Sequence, residues 1–279
     1  MKCPYKTSDC FHVNTLEMTK DVNCEDCDDR VRVYDCFTFF NEVELLELRL
    51  ATLYDYVDFF VIIEAASTFT GKDKPYNFKF PEKYADKIRY IQIGKLSDRD
   101  PWHNEYTQRN AIVRGLYDAN LNDIILISDV DEIPNPVAIE QGKKYPIFTM
   151  EQELYYYYVN CRQVQMWYGT MGIKYRELAK KSPQWLRNKR GDGINVIPHG
   201  GWHYSFLGDV KRIADKLNAF AETQVNTSDI NNPENIARCL ATGEDLFHRK
   251  DEWAQKYFVL GTHHPGIAEW LEKYPQFYK

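Results

Sequence analysis

Two carboxylates two residues apart, Asp129 and Asp131, follow directly on the apolar run Ile124-Ile125-Leu126-Ile127, and Glu132 adds a third acid beside them. In an extended backbone, residues at i and i+2 point to one side. Hard divalent cations such as Mg2+ or Mn2+ take oxygen ligands, and they need only one or two protein carboxylates when substrate phosphates complete the shell. The pair therefore suits a metal-bound diphosphate, where a held cation neutralises charge as it develops on a departing phosphate. Asp129 and Asp131 are the expected metal ligands. Glu132 either binds the cation through water or orients Asp131; a carboxylate that steadies the following turn fits its chain position equally. A bare Asp-x-Asp is common in solvated loops, so this reading depends on the strand in front of it.

That strand needs a sheet around it. Residues 33–40 are rich in β-formers and aromatics and predict a first strand; Asn41 stops it, and Glu44 three residues on makes an Asn/Glu variant of the capping-box pattern. Val43, Leu46, Leu50 and Leu53 then repeat at helical spacing, giving one apolar stripe to lay on a sheet. Residues 58–65 predict a strand buried on both faces and 88–93 a third, while 104–119 predict a helix with Ile112, Val113 and Leu116 as its apolar side. Strand, helix, strand, helix, strand is the order of a parallel α/β sheet. Ligands of such sheets bind beyond the carboxyl ends of the strands, where the acidic pair falls. After Pro134 and Pro136 the pattern changes: 147–151 and 154–159 predict aromatic strands, a loop-rich stretch runs to Trp202, and helical patterns return at 208–221, 233–240 and 251–257. No flexible linker divides the halves, so residues 31–279 are expected to form one domain behind an irregular appendage, residues 1–30.

A formal net charge of -6 disfavours nucleic acid as a partner, since gripping it takes a concentrated basic surface. No stretch approaches the roughly 18 apolar residues of a membrane span, and the first thirty residues lack the apolar core of a signal peptide. The expected location is cytoplasmic. Cys24 and Cys27 have the two-residue gap of a zinc knuckle, but Cys3 and Cys10 are spaced more widely than zinc half-sites. Zinc, local disulfides and a reduced tail all remain open for these four. Cys36, Cys161 and Cys239, among apolar or aromatic neighbours, are expected to be buried thiols.

Several blocks carry a resemblance. They are Tyr34-Asp35-Cys36-Phe37-Thr38-Phe39-Phe40-Asn41-Glu42, Val57-Asp58-Phe59-Phe60-Val61-Ile62-Ile63-Glu64-Ala65, Gln108-Arg109-Asn110-Ala111, the segment from Ser128 to Pro136, and Gly200-Gly201-Trp202-His203. Taken in order, they resemble glycosyltransferase family 17. The resemblance implies a GT-A type nucleotide-sugar-binding fold, with a mostly parallel central sheet flanked by helices. It also implies a UDP-sugar donor, UDP-GlcNAc above others, a glycan or glycoprotein acceptor, Mn2+ or Mg2+, and inversion at the anomeric carbon.

Within that frame His203 is the expected third metal or diphosphate contact, because the adjoining glycines permit close backbone approach and imidazole ligates Mn2+. Asn41, Glu42 and Glu64, at the ends of the first two strands, are placed to meet the nucleotide. Arg109 can fork onto a phosphate, or pair with Glu105 one turn away. Trp202 and Trp102 can stack on a sugar or uracil face, although a buried Trp more often belongs to the core. Inversion requires a general base; Glu153, Asp192 and Asp245 are possible, and an ordinary solvated carboxylate suits each as well. Two other classes stay in play: a metal-dependent phosphohydrolase, which would form an acyl-phosphate on Asp129, and a catalytically silent carbohydrate-binding protein, which would tolerate loss of both acids. Phosphatases with a strand-borne Asp-x-Asp carry it near the start of the domain and place Thr or Val shortly after it, unlike Glu132-Ile133-Pro134 here.

Overall fold

Uniformly apolar strands are stable only when covered on both faces, and the chain meets that demand with helices. The computed structural model describes residues 30–191, 193–251, 255–259 and 264–279. Strands β1 (Val33–Thr38), β2 (Phe59–Ala65), β3 (Ile88–Ile93) and β4 (Ile124–Asp129) lie parallel in the order β3-β2-β1-β4. Helix α1 (Val43–Leu53) covers one face, where Leu46, Leu50 and Leu53 meet Phe37, Ile62, Ile124 and Leu126. The opposite face, built on Cys36, Val61, Ile63, Ile125 and Ile127, packs against Ile112 and Leu116 in the segment that follows α2 (Pro101–Asn110). Odd and even residues of each strand thus divide between two cores, as a period of two requires.

Helix α2 begins three residues before the predicted start, at Pro101, because the Asp100 carboxylate accepts from Trp102 N (3.0 Å) and Pro is preformed for a first turn. It ends in a 3-10 turn, Ala111–Gly115, short of the predicted 119. A Cβ on Gly115 would lie 2.3 Å from Val61 Cγ1, so close packing on β2 sets that turn.

The second half of the chain continues the same sheet: β5 (Glu132–Pro134), β6 (Ile147–Tyr156), β7 (Cys161–Lys174), β8 (Asn195–Ser205) and β9 (Lys256–Phe258). β7 pairs antiparallel with β4 and β6, β8 runs parallel to β6, and β5 pairs antiparallel with β8. The two predicted aromatic strands are one, β6. The stretch to Trp202 read as loop-rich holds β7, α4 (Tyr175–Leu178), α5 (Pro183–Arg187) and most of β8, and Lys256 and Tyr257 lie in a strand rather than a helix. Around them stand α3 (Pro136–Gly142), α6 (Val210–Ala219), α7 (Pro233–Thr242) and α8 (Ile267–Lys273). Among the described residues no helix is long and apolar enough to cross a membrane. Cys3, Cys10, Cys24, Cys27 and Asp192 lie outside the described residues, while Cys36, Cys161 and Cys239 are buried free thiols.

Candidate active site

Strand alternation sends Ser128 toward α1 and Asp129 toward α2 as β4 leaves the sheet. Beneath this exit lies Arg49 of α1, fully buried. Its guanidinium takes both oxygens of Asp35 (2.6 and 2.8 Å) and donates to Ser128 Oγ (2.6 Å). It also donates to the carbonyls of Asp129, Val130 and Glu132 at 2.9, 3.2 and 2.9 Å. One planar cation therefore shapes the turn that carries the acids. β5 then pairs with β8 in the register Glu132↔His203, Ile133↔Trp202, Pro134↔Gly201, and Tyr204 N donates to Asp131 O (2.9 Å). Two segments far apart in sequence, the acidic turn and Gly200-Gly201-Trp202-His203, are thereby stitched together.

The acids open into a cavity of about 620 Å3 beyond the carboxyl ends of the parallel strands. Asp129 Oδ1 accepts from Arg109 (3.1 Å) and Oδ2 from Arg187 (2.8 Å). Arg187 also bonds Glu132 Oε1 (2.5 Å), which accepts from Trp167 Nε1 (2.7 Å), while Glu132 Oε2 accepts from Asp129 N (3.0 Å). Arg190 lies over the Trp167 ring, 3.8 Å from Glu132. On the other side Asp131 Oδ2 accepts from Lys216 Nζ of α6 (2.7 Å), and His203 Nε2 faces Oδ1 at 3.6 Å. Burial alone would raise the Asp129 carboxyl, but Arg187, Arg109 and Arg190 outweigh it and hold it far below the usual carboxylate range. Asp131 is held down likewise, against its burial, by Lys216 and His203. Burial, with Arg187 close by, lowers Arg190 to about 10. Burial raises Glu105, aided by Asp129 and opposed by Arg109.

Of the residues singled out from sequence, Asp129, Asp131, Glu132, Arg109, Glu42, His203 and Trp102 line this one cavity. Arg109 makes the expected pair with Glu105 (2.5 Å) and also bonds Asp129, a partner its spacing did not suggest. Glu64 is not on the wall: its carboxylate is saturated by Lys74 Nζ, the N–H groups of Asn77 and Phe78, and Tyr90 OH, and it anchors the loop after β2 instead of a nucleotide. Asn41 borders a small neighbouring void together with Glu42 and Lys216. Trp202 turns away, because neighbours on a strand face opposite sides; it is 5% exposed and stacks on His264 at 4.0 Å. The glycines before it serve backbone packing rather than a ligand, since a Cβ on Gly201 would sit 2.1 Å from Ile133 O and one on Gly200 2.6 Å from Met150 Cβ. Among the suggested bases, Asp245 is spent on Arg249 and Lys256 and Glu153 on Tyr155 OH and Arg162. Sequence reasoning missed Arg49, Arg187, Arg190 and Lys216, all charged residues whose partners are remote along the chain.

The sequence profile of glycosyltransferase family 17 matches residues 6–257. The chain belongs to glycosyltransferase family 17. No curated protein sequence matches it. Solved structures with partial likeness to this family 17 chain include the Francisella tularensis 2-C-methyl-D-erythritol 4-phosphate cytidylyltransferase IspD, at 14% identity over 60% of this chain and 90% of that one, TM-score 0.34. Others are a 4-diphosphocytidyl-2C-methyl-D-erythritol synthase (15%, 61% and 89%, TM-score 0.35) and the galactosyltransferase LgtC with donor and acceptor sugar analogs (12%, 58% and 66%, TM-score 0.31). Overlap of that extent is slight.

Among the described residues no group of three or more His, Cys, Asp or Glu side chains is placed to hold a metal ion by itself, so a divalent cation here would draw on Asp131 and His203 together with substrate oxygens. The 3.6 Å between His203 Nε2 and Asp131 Oδ1 is too long for a direct hydrogen bond, yet short enough for both atoms to bind one cation with ligand bonds of ~2.1 Å. His203 Nδ1 is buried without a hydrogen-bond partner. A carboxylate and an imidazole, with diphosphate oxygens and water completing the shell, make a donor set suited to Mn2+. Asp129, gripped by two arginines, fits an orienting role better than direct ligation.

Proposed function

We propose that this glycosyltransferase moves a sugar, GlcNAc from UDP-GlcNAc first among candidates, onto a hydroxyl of a glycan or glycoprotein acceptor, with inversion and with help from Mn2+ or Mg2+. The observation that carries the reading is the β5–β8 register, which brings Asp131 and His203 to one spot in a deep cavity beyond the parallel strands. Asp131 and His203 would hold the cation, which when bound supplies positive charge to the departing diphosphate. Arg109 and Arg187 fix Asp129 from two sides, so its carboxylate presents a set direction to a ligand hydroxyl without reorganising. Glu132, 1% exposed and bonded on both oxygens, orients this array through Arg187 and the Asp129 N–H. Trp102, half-buried on the wall, offers a flat face to a sugar or base.

Inversion asks that a hydroxyl attack the anomeric carbon opposite the diphosphate, with its proton passing to a base. The cavity wall includes Glu42, whose carboxylate accepts from the N–H groups of Phe40 and Asn41, and Glu222, and the base is assigned to this pair. Acyl-phosphate chemistry on Asp129 is disfavoured, since each of its oxygens already accepts from a guanidinium. Calorimetry with a panel of UDP-sugars, each with and without Mn2+, tests the proposal. Metal-dependent binding of UDP-GlcNAc supports it; indifference to every UDP-sugar removes it.

A further inference from the structure

Lys216 stands at the centre of the proposed site. It lies on α6, whose buried residues Ile213 and Leu217 fix the helix against the core and whose N-cap Asp209 accepts from Arg212 N (2.8 Å). The side chain crosses the cavity wall to end 2.7 Å from Asp131 Oδ2, above the Phe206 ring and close to Glu42. An ordinary structural ion pair would be sealed. This one is not: Lys216 and Asp131 both line the cavity, and the Lys216 side chain remains 27% exposed against 7% for Asp131.

Building on the function proposed above, we propose that Lys216 is a diphosphate-binding residue that rests on Asp131 until the donor arrives. Both carboxylates already have their charge matched by protein cations, Asp129 by two arginines and Asp131 by the lysine. A dication drawn to Asp131 would meet the ammonium on the same carboxylate, and like charges a few ångströms apart in a poorly solvated cavity repel strongly. The diphosphate that comes with the dication offers the ammonium a new anionic partner. A four-carbon stem with rotatable bonds lets Lys216 turn to an adjacent β-phosphate oxygen without moving α6. In the transfer step the acceptor oxygen bonds to the anomeric carbon and the carbon–oxygen bond to the β-phosphate breaks. The electron pair leaves on that phosphate beside Lys216, and the hydroxyl proton passes to the enzyme carboxylate acting as base. Removing such a cation typically costs ~100–1,000-fold in turnover.

Full-length wild type, Lys216→Met and Lys216→Gln are compared by calorimetry with UDP as the probe, with and without Mn2+, and by electron paramagnetic resonance for Mn2+ alone. Lys216→Gln keeps an N–H for Asp131 without the charge, which holds the test open if the Met variant folds poorly. The expected result is that both variants bind UDP at least tenfold more weakly, while Mn2+ alone binds them at least tenfold more tightly than wild type because no ammonium must be displaced. Mn2+-dependent UDP binding in wild type that both variants retain unchanged overturns Lys216 and leaves the metal reading intact. UDP binding that ignores Mn2+ in wild type but collapses in both variants removes the metal and upholds Lys216 as the cation of the diphosphate.

Discussion

Arg49→Met is the perturbation whose consequences the structure defines most fully. The guanidinium is fully buried, forks onto Asp35 and satisfies the carbonyls of Asp129, Val130 and Glu132. Its loss strands the buried charge of Asp35, a change that costs ~3–5 kcal/mol when one partner of a buried pair is removed. That is a large share of the ~5–15 kcal/mol that holds a typical domain folded. Replacing both partners, Asp35→Leu with Arg49→Met, leaves no lone charge and should return most of the loss, since apolar replacement of a whole buried pair is often near neutral. The three carbonyls would still lack their donor, so the acidic turn should stay misplaced and UDP binding should remain ~5–150-fold weaker in the double variant, by the ~1–3 kcal/mol cost of unsatisfied buried groups. Urea unfolding and UDP calorimetry on both variants read the two effects apart. A single-variant loss under about 1 kcal/mol, well below the range for a broken buried pair, or a double variant that regains stability and UDP binding together, would refute the reasoning.

Acid should weaken the fold through His264. Its ring lies between Trp202 and Tyr204, and because Thr52 donates its hydroxyl to Leu48 O, the ring donates from Nε2 to Thr52 and accepts from Tyr204 OH at Nδ1. Burial pushes this imidazole down to about 3; the unfolded chain then binds the extra proton first, so stability present above pH ~6.5 is lost as pH falls, by ~2 kcal/mol at pH 5. His264→Phe should flatten that slope in urea titrations at pH 7 and pH 5, and an unchanged slope would contradict the assignment. Gly201→Ala, with φ of 137° and a Cβ 2.1 Å from Ile133 O, should cost ~1–3 kcal/mol in thermal unfolding and abolish metal-dependent UDP binding by breaking the β5–β8 register. Of Glu42→Gln and Glu222→Gln, one should lower kcat ~100-fold or more while leaving the KM for the donor unchanged; full activity in both would move the base elsewhere.

The parallel half of the fold was legible because β1, β2 and β4 are covered on both faces and so read as apolar runs, and α1 because its stripe repeats at helical spacing. β7 hid because several of its residues from Val164 to Tyr168 are part-exposed or exposed, which dilutes the apolar signal. The acidic pair announced itself by following a buried strand, yet its supporting cations did not: Lys216 is 85 residues from Asp131 and Arg187 58 from Asp129. In sequence a buried arginine looks like any surface arginine. Arg49 alone left a trace, a charge embedded in the apolar face of α1, and the opposition of Trp202 and His203 follows from the two-residue period of any strand. Glu64 misled because a polar strand end can serve the backbone of the next loop as well as a ligand.

The central claim is most directly met by a crystal grown with UDP-GlcNAc and Mn2+, using anomalous scattering to locate the metal. The manganese peak is expected between Asp131 and His203, bonded to oxygens of the diphosphate. A diphosphate bound remote from both side chains would contradict it.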